Sequence, residues 1–399
     1  MTQSHYDIVI SGGGVAGLTA AAVFGQAGFE VLCVDPTPPV TDRDSAGADL
    51  RSTAFLQPAQ ALLERSGLWA RLADHASDLQ VMRIVDAGGP EAEPRVVKSF
   101  DAADISDQPF GWNLPNCLLR REMLAHLDGL ERVTFLPGVR SVSLFTREAE
   151  ARVRLSNDTT AHCKLVIAAD GRGSPIREVA GIDVKTTRYG QKALAFAVTH
   201  PIPHAQVSTE VHRTGGPFTL VPLPDFEGRP SSAVVWMEDG PAAKHLMEME
   251  IAAFEEAMTA RSCHLFGPLT LASRRSIWPI ISQVADRMSA ERVALVAEAA
   301  HVLPPIGAQG LNMSLADMQV LLELAEAAPE DLGRRTMLDA YHRKRHLEIK
   351  TRVAGIDLLN RASQVHSQPL RDARAMGLNA IYSLAPVRKT LMQMGLGLR

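Results

Sequence analysis

Tyr6-Asp7-Ile8-Val9-Ile10-Ser11-Gly12-Gly13-Gly14-Val15-Ala16-Gly17-Leu18-Thr19-Ala20-Ala21-Ala22-Val23 stands near the start of the chain. Residues 6–10 form the short apolar run of a buried parallel strand. The alanine-rich stretch after Gly17 favours a helix. Phe29-Glu30-Val31-Leu32-Cys33-Val34 reads as a second strand and ends at Asp35. Strand, glycine turn, helix, strand and acid follow in the order that a dinucleotide site requires. Gly12 permits the tight turn. Gly14 lets a pyrophosphate approach the backbone, and Gly17 lets the helix pack on the sheet. The helix start at Val15 and Ala16 offers free N–H groups and a positive dipole end to the anion. Asp35 stands where a ribose-hydroxyl acceptor belongs. The motif sets an α/β fold with a Rossmann-like unit, and it does not separate NAD from FAD.

Two more strand-to-loop junctions share this logic. Residues 165–169 form an apolar run that leads into Asp170-Gly171-Arg172-Gly173-Ser174 and a Ser/Pro helix start. Residues 292–297 form another, leading into Glu298-Ala299-Ala300-His301-Val302-Leu303-Pro304-Pro305-Ile306-Gly307-Ala308-Gln309-Gly310-Leu311-Asn312. Leu315, Met318, Leu322 and Ala325 then mark an amphipathic helix. A loop rich in proline and glycine can lay backbone N–H groups against a flat ring or an anion.

The rest of the chain narrows the class. At 399 residues, 46% hydrophobic and 22% charged, it is an ordinary globular sequence with room for a large core. A net charge of −4 gives no pull toward nucleic acid. Cys33, Cys117, Cys163 and Cys263 form no CxxC pair, and their sparseness fits a reducing compartment. No signal segment and no run of about 18 apolar residues is evident, so a cytoplasmic protein is expected. His342 and His346 have metal-like spacing, but they sit among Arg343, Lys344 and Arg345, so no metal site is expected. Residues 193–198, 207–212, 218–221 and 232–236 read as strands of an antiparallel sheet, and residues 245–261 as one helix. Residues 361–399 carry six basic residues and one acid, which leaves the remainder at −9. Ile381, Leu384, Val387, Leu391 and Met394 recur there at helical spacing beside Arg371, Arg374, Arg388 and Lys389. Two readings stay open: docking on an anionic membrane surface or a partner complex, or a terminal helix packed on the body.

Taken together, Gly12, Gly14, Gly17 and Asp35, Asp49-Leu50-Arg51-Ser52-Thr53-Ala54, Gly111-Trp112-Asn113-Leu114-Pro115-Asn116, Asp170-Gly171 and residues 298–312 resemble the class A flavoprotein monooxygenases. Within that class the chain is most similar to the ubiquinone-biosynthesis hydroxylases. The resemblance implies a Rossmann-like FAD-binding domain of the GR2/p-hydroxybenzoate-hydroxylase type, with an inserted antiparallel β-sheet substrate domain and C-terminal helices. FAD-binding parts are expected at 1–75, 111–185 and 281–330, substrate-domain segments at 76–110 and 186–280, and a helical region at 331–399. The first motif and Asp35 would hold the FAD pyrophosphate and ribose. Arg51 and Arg121 would reach the cofactor, and Asp170 with Gly171 would lie near the pyrophosphate. Glu298 would face the ribityl chain. Pro305, Gly307, Gln309, Gly310, Leu311 and Asn312 would line the isoalloxazine ring.

The implied activity is NAD(P)H-consuming hydroxylation of a polyprenylated phenol with O2, through a C4a-hydroperoxyflavin. A hydroxylase of soluble aromatics, a flavoprotein reductase and a non-catalytic subunit of a quinone-biosynthesis complex are the alternatives. One departure favours the last: the family's Gly-Asp at the third junction is Ala297-Glu298 here. His301 fits a structural hydrogen bonder better than a proton carrier, and no catalytic base is named.

Overall fold

Residues 3–45, 47–89, 91 and 93–397 are described by the computed structural model. The apolar runs Ile8–Ser11, Val31–Asp35, Leu165–Ala168 and Val293–Leu295 lie side by side as parallel strands. Val133–Pro137 extends this sheet at one edge, and Ser289–Ala290 closes the other in antiparallel pairing. Ile8, Val9 and Ile10 are fully buried on both faces, which is why the strand reads as an unbroken apolar run. Ser11 pairs with Ala168, and Ala168 with Leu295. The three glycine- and acid-bearing loops therefore leave one sheet edge, at the carboxyl ends of adjacent strands, where open α/β sheets bind ligands.

A second, nine-stranded sheet holds Val184–Thr199, Val207–His212, Pro217–Phe226, Arg229–Asp239 and Ser276–Ala285, and adds Val81–Asp86 and Val96–Asp101. Its two faces differ in side-chain size. Leu194, Phe196, Val198, Phe218, Leu220, Val234 and Trp236 pack one face against the helices Gly240–Glu248 and Ile251–Arg261. Their alternating neighbours Ala193, Ala195, Ala197, Ala233 and Val235 present the other face. The single helix read over 245–261 is in fact two. Arg275 donates to the carbonyls of Leu246 and Met249, which satisfies the carbonyls at the end of the first helix.

Helices Arg335–Ser363, Gln368–Ser383 and Ala385–Leu396 close the chain. Arg374 and Arg388 turn inward rather than adding to the open cationic face that the charge count suggests. Arg374 donates to buried Asp86 at 2.8 Å, and Arg388 pairs with Asp104 at 3.3 Å. These arginines clamp the terminal helices to the inserted sheet. Met392 and Leu396 pack with Leu56, Phe100 and Phe110, while Ile381, Leu384, Val387, Leu391 and Met394 point outward. No helix among the described residues is long and apolar enough to cross a membrane.

Candidate functional site

The three glycines of the first loop have separate geometric reasons. Gly12 has φ +110°, and a Cβ there would lie 2.3 Å from the Ala169 carbonyl oxygen. A Cβ on Gly17 would lie 1.8 Å from the Gly12 carbonyl oxygen. Gly14 is different: a Cβ there meets nothing within 4 Å. It caps Val15–Gln26, whose first turn has no side-chain cap and no acid. Open space in front of uncapped N–H groups suits a phosphate. Asp35 accepts the Gly13 N–H at 2.6 Å and the Thr37 N–H at 2.7 Å, which fixes its carboxylate beside the loop.

The second loop adds a buried carboxyl. Burial raises the Asp170 carboxyl above its ordinary value. Its Oδ2 accepts the Ile176 N–H at 3.2 Å, while its buried Oδ1 has no partner. A buried orphan acceptor costs stability unless a ligand or water meets it. Gly171, at φ +84°, turns the chain. Ser174 caps Pro175–Val179 by accepting the Arg177 N–H. Arg177 then donates to the carbonyls of Ala299 and Arg172, strapping the second loop to the third.

The third loop is held from beneath. Asp317 accepts from His301 Nε2 at 2.7 Å, from Arg345 Nε at 2.8 Å and from the Ala297 N–H at 3.3 Å. All three side chains of this His–Asp–Arg cluster are at most 2% exposed. Burial by itself would raise the Asp317 carboxyl, but His301 and Arg345 beside it hold it below its ordinary value. His301 is thus placed as a structural group. Asp317 and Arg345 were not singled out from sequence, yet each is a charged residue at a buried helical position, beside Met318 and Leu321 or Tyr341 and Ile349. That pattern is their signal.

Ala297 adopts φ +55°, the left-handed region that favours glycine. Glu298 turns to Arg172 at 3.4 Å and is half exposed. Replacing Ala297 with Gly should raise stability by up to about 1 kcal/mol, strain relief exceeding the added unfolded-state freedom. Chemical denaturation checks this, and a lower midpoint would sink it. Beyond His301, Pro305 is partly buried, and Gly307, Ala308 and Gly310 expose their backbone. Gln309 donates to the carbonyls of Gly307 and Gly395 and accepts from Arg352. Asn312 accepts the Leu56 N–H at 2.8 Å and donates to Ala54 and Ala308. Leu311 packs against the main core. This loop is thereby pinned to the strand Ser52–Leu56 and to the last helix.

Arg51 forms a two-pronged pair with Asp49 and lies 5.5 Å from the Trp278 ring centroid. Burial opposes ionisation of Asp49, but Arg51, Asn116 and Arg120 together hold its carboxyl down to about 2. Arg121 is not brought to this cluster. It pairs with Glu122 and is mostly exposed, whereas its neighbour Arg120 comes within 3.6 Å of Asp49. One helical step of about 100° separates the two directions. The paired histidines serve packing: His342 accepts the Met288 N–H, and His346 lies 3.3 Å from the Ala285 carbonyl.

The alanine-lined sheet face meets the third loop. Ala193, Met237, Ile280 and Ile306 cluster with Val235 and Trp278. On the adjoining strands Leu56 and Phe110 cluster with Ile84, Leu378 and Tyr382. Between these clusters Val221, Thr219, Val235 and Glu210 are only partly buried, although they lie mid-sheet under other elements. On the opposite face their neighbours are 0–4% exposed. Partial exposure there marks the least tightly covered part of this sheet face, next to the third loop.

The FAD binding domain family matches residues 5–354. The chain belongs to this family and is an FAD-dependent monooxygenase. Among its relatives, ubiquinone hydroxylase UbiL of Rhodospirillum rubrum is 31% identical over 394 residues, covering 98% of this chain and 89% of that protein. The 3-demethoxyubiquinol 3-hydroxylase of Escherichia coli is 24% identical over 401 residues, covering both chains fully. The p-nitrophenol 4-monooxygenase PnpA from Pseudomonas putida DLL-E4 shares the fold at TM-score 0.79 and 19% identity, over 99% of each chain. The residues present fit FAD: open space at Gly14, an orphan acceptor on Asp170, and exposed backbone from Gly307 to Gly310.

Proposed function

We propose that this monooxygenase hydroxylates the ring of a prenylated phenol, consuming NAD(P)H and O2. The alanine-lined sheet face carries this reading. Ala193, Ala195, Ala197 and Ala233 keep this face free of bulky side chains, and Val221 and Val235 beside them are apolar and only partly buried. The names of the ubiquinone-hydroxylating relatives support the same substrate class. When bound, FAD supplies the redox chemistry that links NAD(P)H to O2.

The chain's own residues bind and exclude. Gly14, with the N–H groups of Val15 and Ala16, would hold the pyrophosphate on a turn that Gly12 and Gly17 shape, and Asp35 would hold the ribose. Asp170 and Gly171 would flank the pyrophosphate, and Arg51 would approach it. Residues 306–312 would present backbone N–H groups to the flavin ring beside Pro305. Residues 1–75, 111–185 and 281–330 supply this cofactor-binding part in our reading. The sheet segments 76–110 and 186–280 supply the substrate side, and the helices of 331–399 cover it. Ala297-Glu298 leaves the third loop anchored through the Ala297 N–H to Asp317, so it does not favour a non-catalytic role.

Purified protein with FAD tests this reading. 2-Prenylphenol should stimulate NAD(P)H oxidation and yield a product heavier by one oxygen, whereas 4-hydroxybenzoate should not. Stimulation by 4-hydroxybenzoate alone would favour a soluble aromatic substrate. In the same reading, the outward apolar side chains of the last two helices meet the bilayer interface that holds such a substrate. Residues 373–397 contain no acid to oppose an anionic surface. Leu384→Asp with Leu391→Asp should weaken co-sedimentation with anionic vesicles at least tenfold, with flavin content unchanged. Equal co-sedimentation would remove the membrane contact from the proposal.

A further inference from the structure

On the same alanine-lined sheet face Glu210 pairs with His212. Strand register fixes their position. Ala195 pairs with Val235, Val235 with Thr219, Thr219 with Glu210, and Glu210 with Ile84. Directly cross-strand residues share a face, so Glu210 lies in one row with the alanine face. Val211, between Glu210 and His212, is fully buried on the opposite face. At one end of the row Val235 clusters with Ile306 of the third loop. At the other end Ile84 clusters with Leu56 and Tyr382. Glu210 therefore stands between the cofactor loop and the terminal helices, where the face is only partly covered.

The pair is built rather than incidental. His212 Nε2 lies 2.6 Å from Glu210 Oε1, and each side chain is 15% exposed. His212 Nδ1 is buried and has no partner. Beside His212 in the next row, Asp86 is already held by Arg95 and Arg374. With Nε2 donating to Glu210, the imidazole orients the carboxylate and leaves its second oxygen free toward the less covered part of this face.

We propose that Glu210 is a catalytic residue that accepts the hydroxyl proton of the phenolic substrate, with His212 as its positioning residue. The inference rests on the phenolic reading above. The new C–O bond takes one oxygen atom of O2, whose O–O bond breaks, while the other leaves as water with the electron pair from NAD(P)H. This transfer draws electrons from the phenol oxygen, so its O–H becomes acidic. One proton passes from that oxygen to the Glu210 carboxylate, and the ring is left as a neutral dienone. No electron moves to or from the carboxylate. Proton transfer by a placed side chain contributes about 100- to 10,000-fold.

The FAD-loaded full chain tests this with 2-prenylphenol and its methyl ether, which lacks the O–H. Flavin absorbance changes report binding without turnover. The wild type should bind the phenol about tenfold more tightly than the ether, as expected for a hydrogen bond to a charged group. Glu210→Leu should lose that preference. Glu210→Gln, which can still accept a hydrogen bond but not a proton, should keep most of it while product formation falls at least 100-fold. His212→Asn should retain more activity than His212→Leu, since it restores a donor. A wild type that binds neither compound overturns the substrate reading. Tight phenol binding with preference and rate unchanged in the Glu210 variants overturns the Glu210 assignment alone.

Discussion

Gly14→Val is expected to give a folded, colourless protein. The added side chain meets no protein atom near its Cβ, and Gly14 has φ −70° and ψ 179°, which a β-branched residue adopts without strain. Thermal unfolding should therefore stay within about 0.5 kcal/mol of wild type, as for an unconstrained surface site. The same side chain fills the space in front of the helix N–H groups, so flavin should be lost on purification. Gly17→Ala makes the opposite case. Its single methyl would sit 1.8 Å from the Gly12 carbonyl oxygen, and both atoms belong to packed backbone. Forced shifts of this kind cost about 1–3 kcal/mol or more, so Gly17→Ala should lower stability even before FAD is added. Absorbance at the flavin band and denaturation curves separate the two effects. A yellow Gly14→Val protein would show that the phosphate lies elsewhere.

The sequence carried this contrast only in part. Spacing marks Gly12, Gly14 and Gly17 as one motif, because helix and turn geometry are local. It cannot say which glycine faces protein and which faces ligand, since Ala169 comes from a strand more than 150 residues away. The parallel strands were legible for the same local reason: a strand buried on both faces is apolar throughout. Arg120 and Arg121 show the limit. Adjacent arginines on a helix differ by about 100° in direction, and only the placement of Asp49 decides which is used. The C-terminal charge excess was legible as a number but not as a direction. Asp86 and Asp104 lie far back in the chain, and they turn Arg374 and Arg388 inward. Glu210 gave no signal, because an acid in an alternating strand reads as a solvent-facing residue. Only the cross-strand rows put it on a covered face.

Arg345→Met should be among the most damaging substitutions outside the cofactor loops. Arg345 is 1% exposed and donates to Asp317 and to the Met313 carbonyl, and it also pairs with Glu348. Removing one partner of a buried ion pair costs about 3–5 kcal/mol, because the other charge stays desolvated. His301 alone would then face Asp317. The pH dependence follows from the depressed Asp317 carboxyl. Such a group contributes stability above its unfolded-state pKa and loses it as pH falls through the folded value. Arg345→Met raises the folded value toward the unfolded one, so acid unfolding should begin at a higher pH than in wild type. Flavin affinity should fall as well, since Asp317 also holds the Ala297 N–H at the base of the third loop. Arg345→Lys keeps the charge but not the planar fork, and should fall between the two. Unfolding followed in urea from pH 2 to 8 would decide the matter. An unchanged midpoint across that range would mean that the cluster does not anchor the loop.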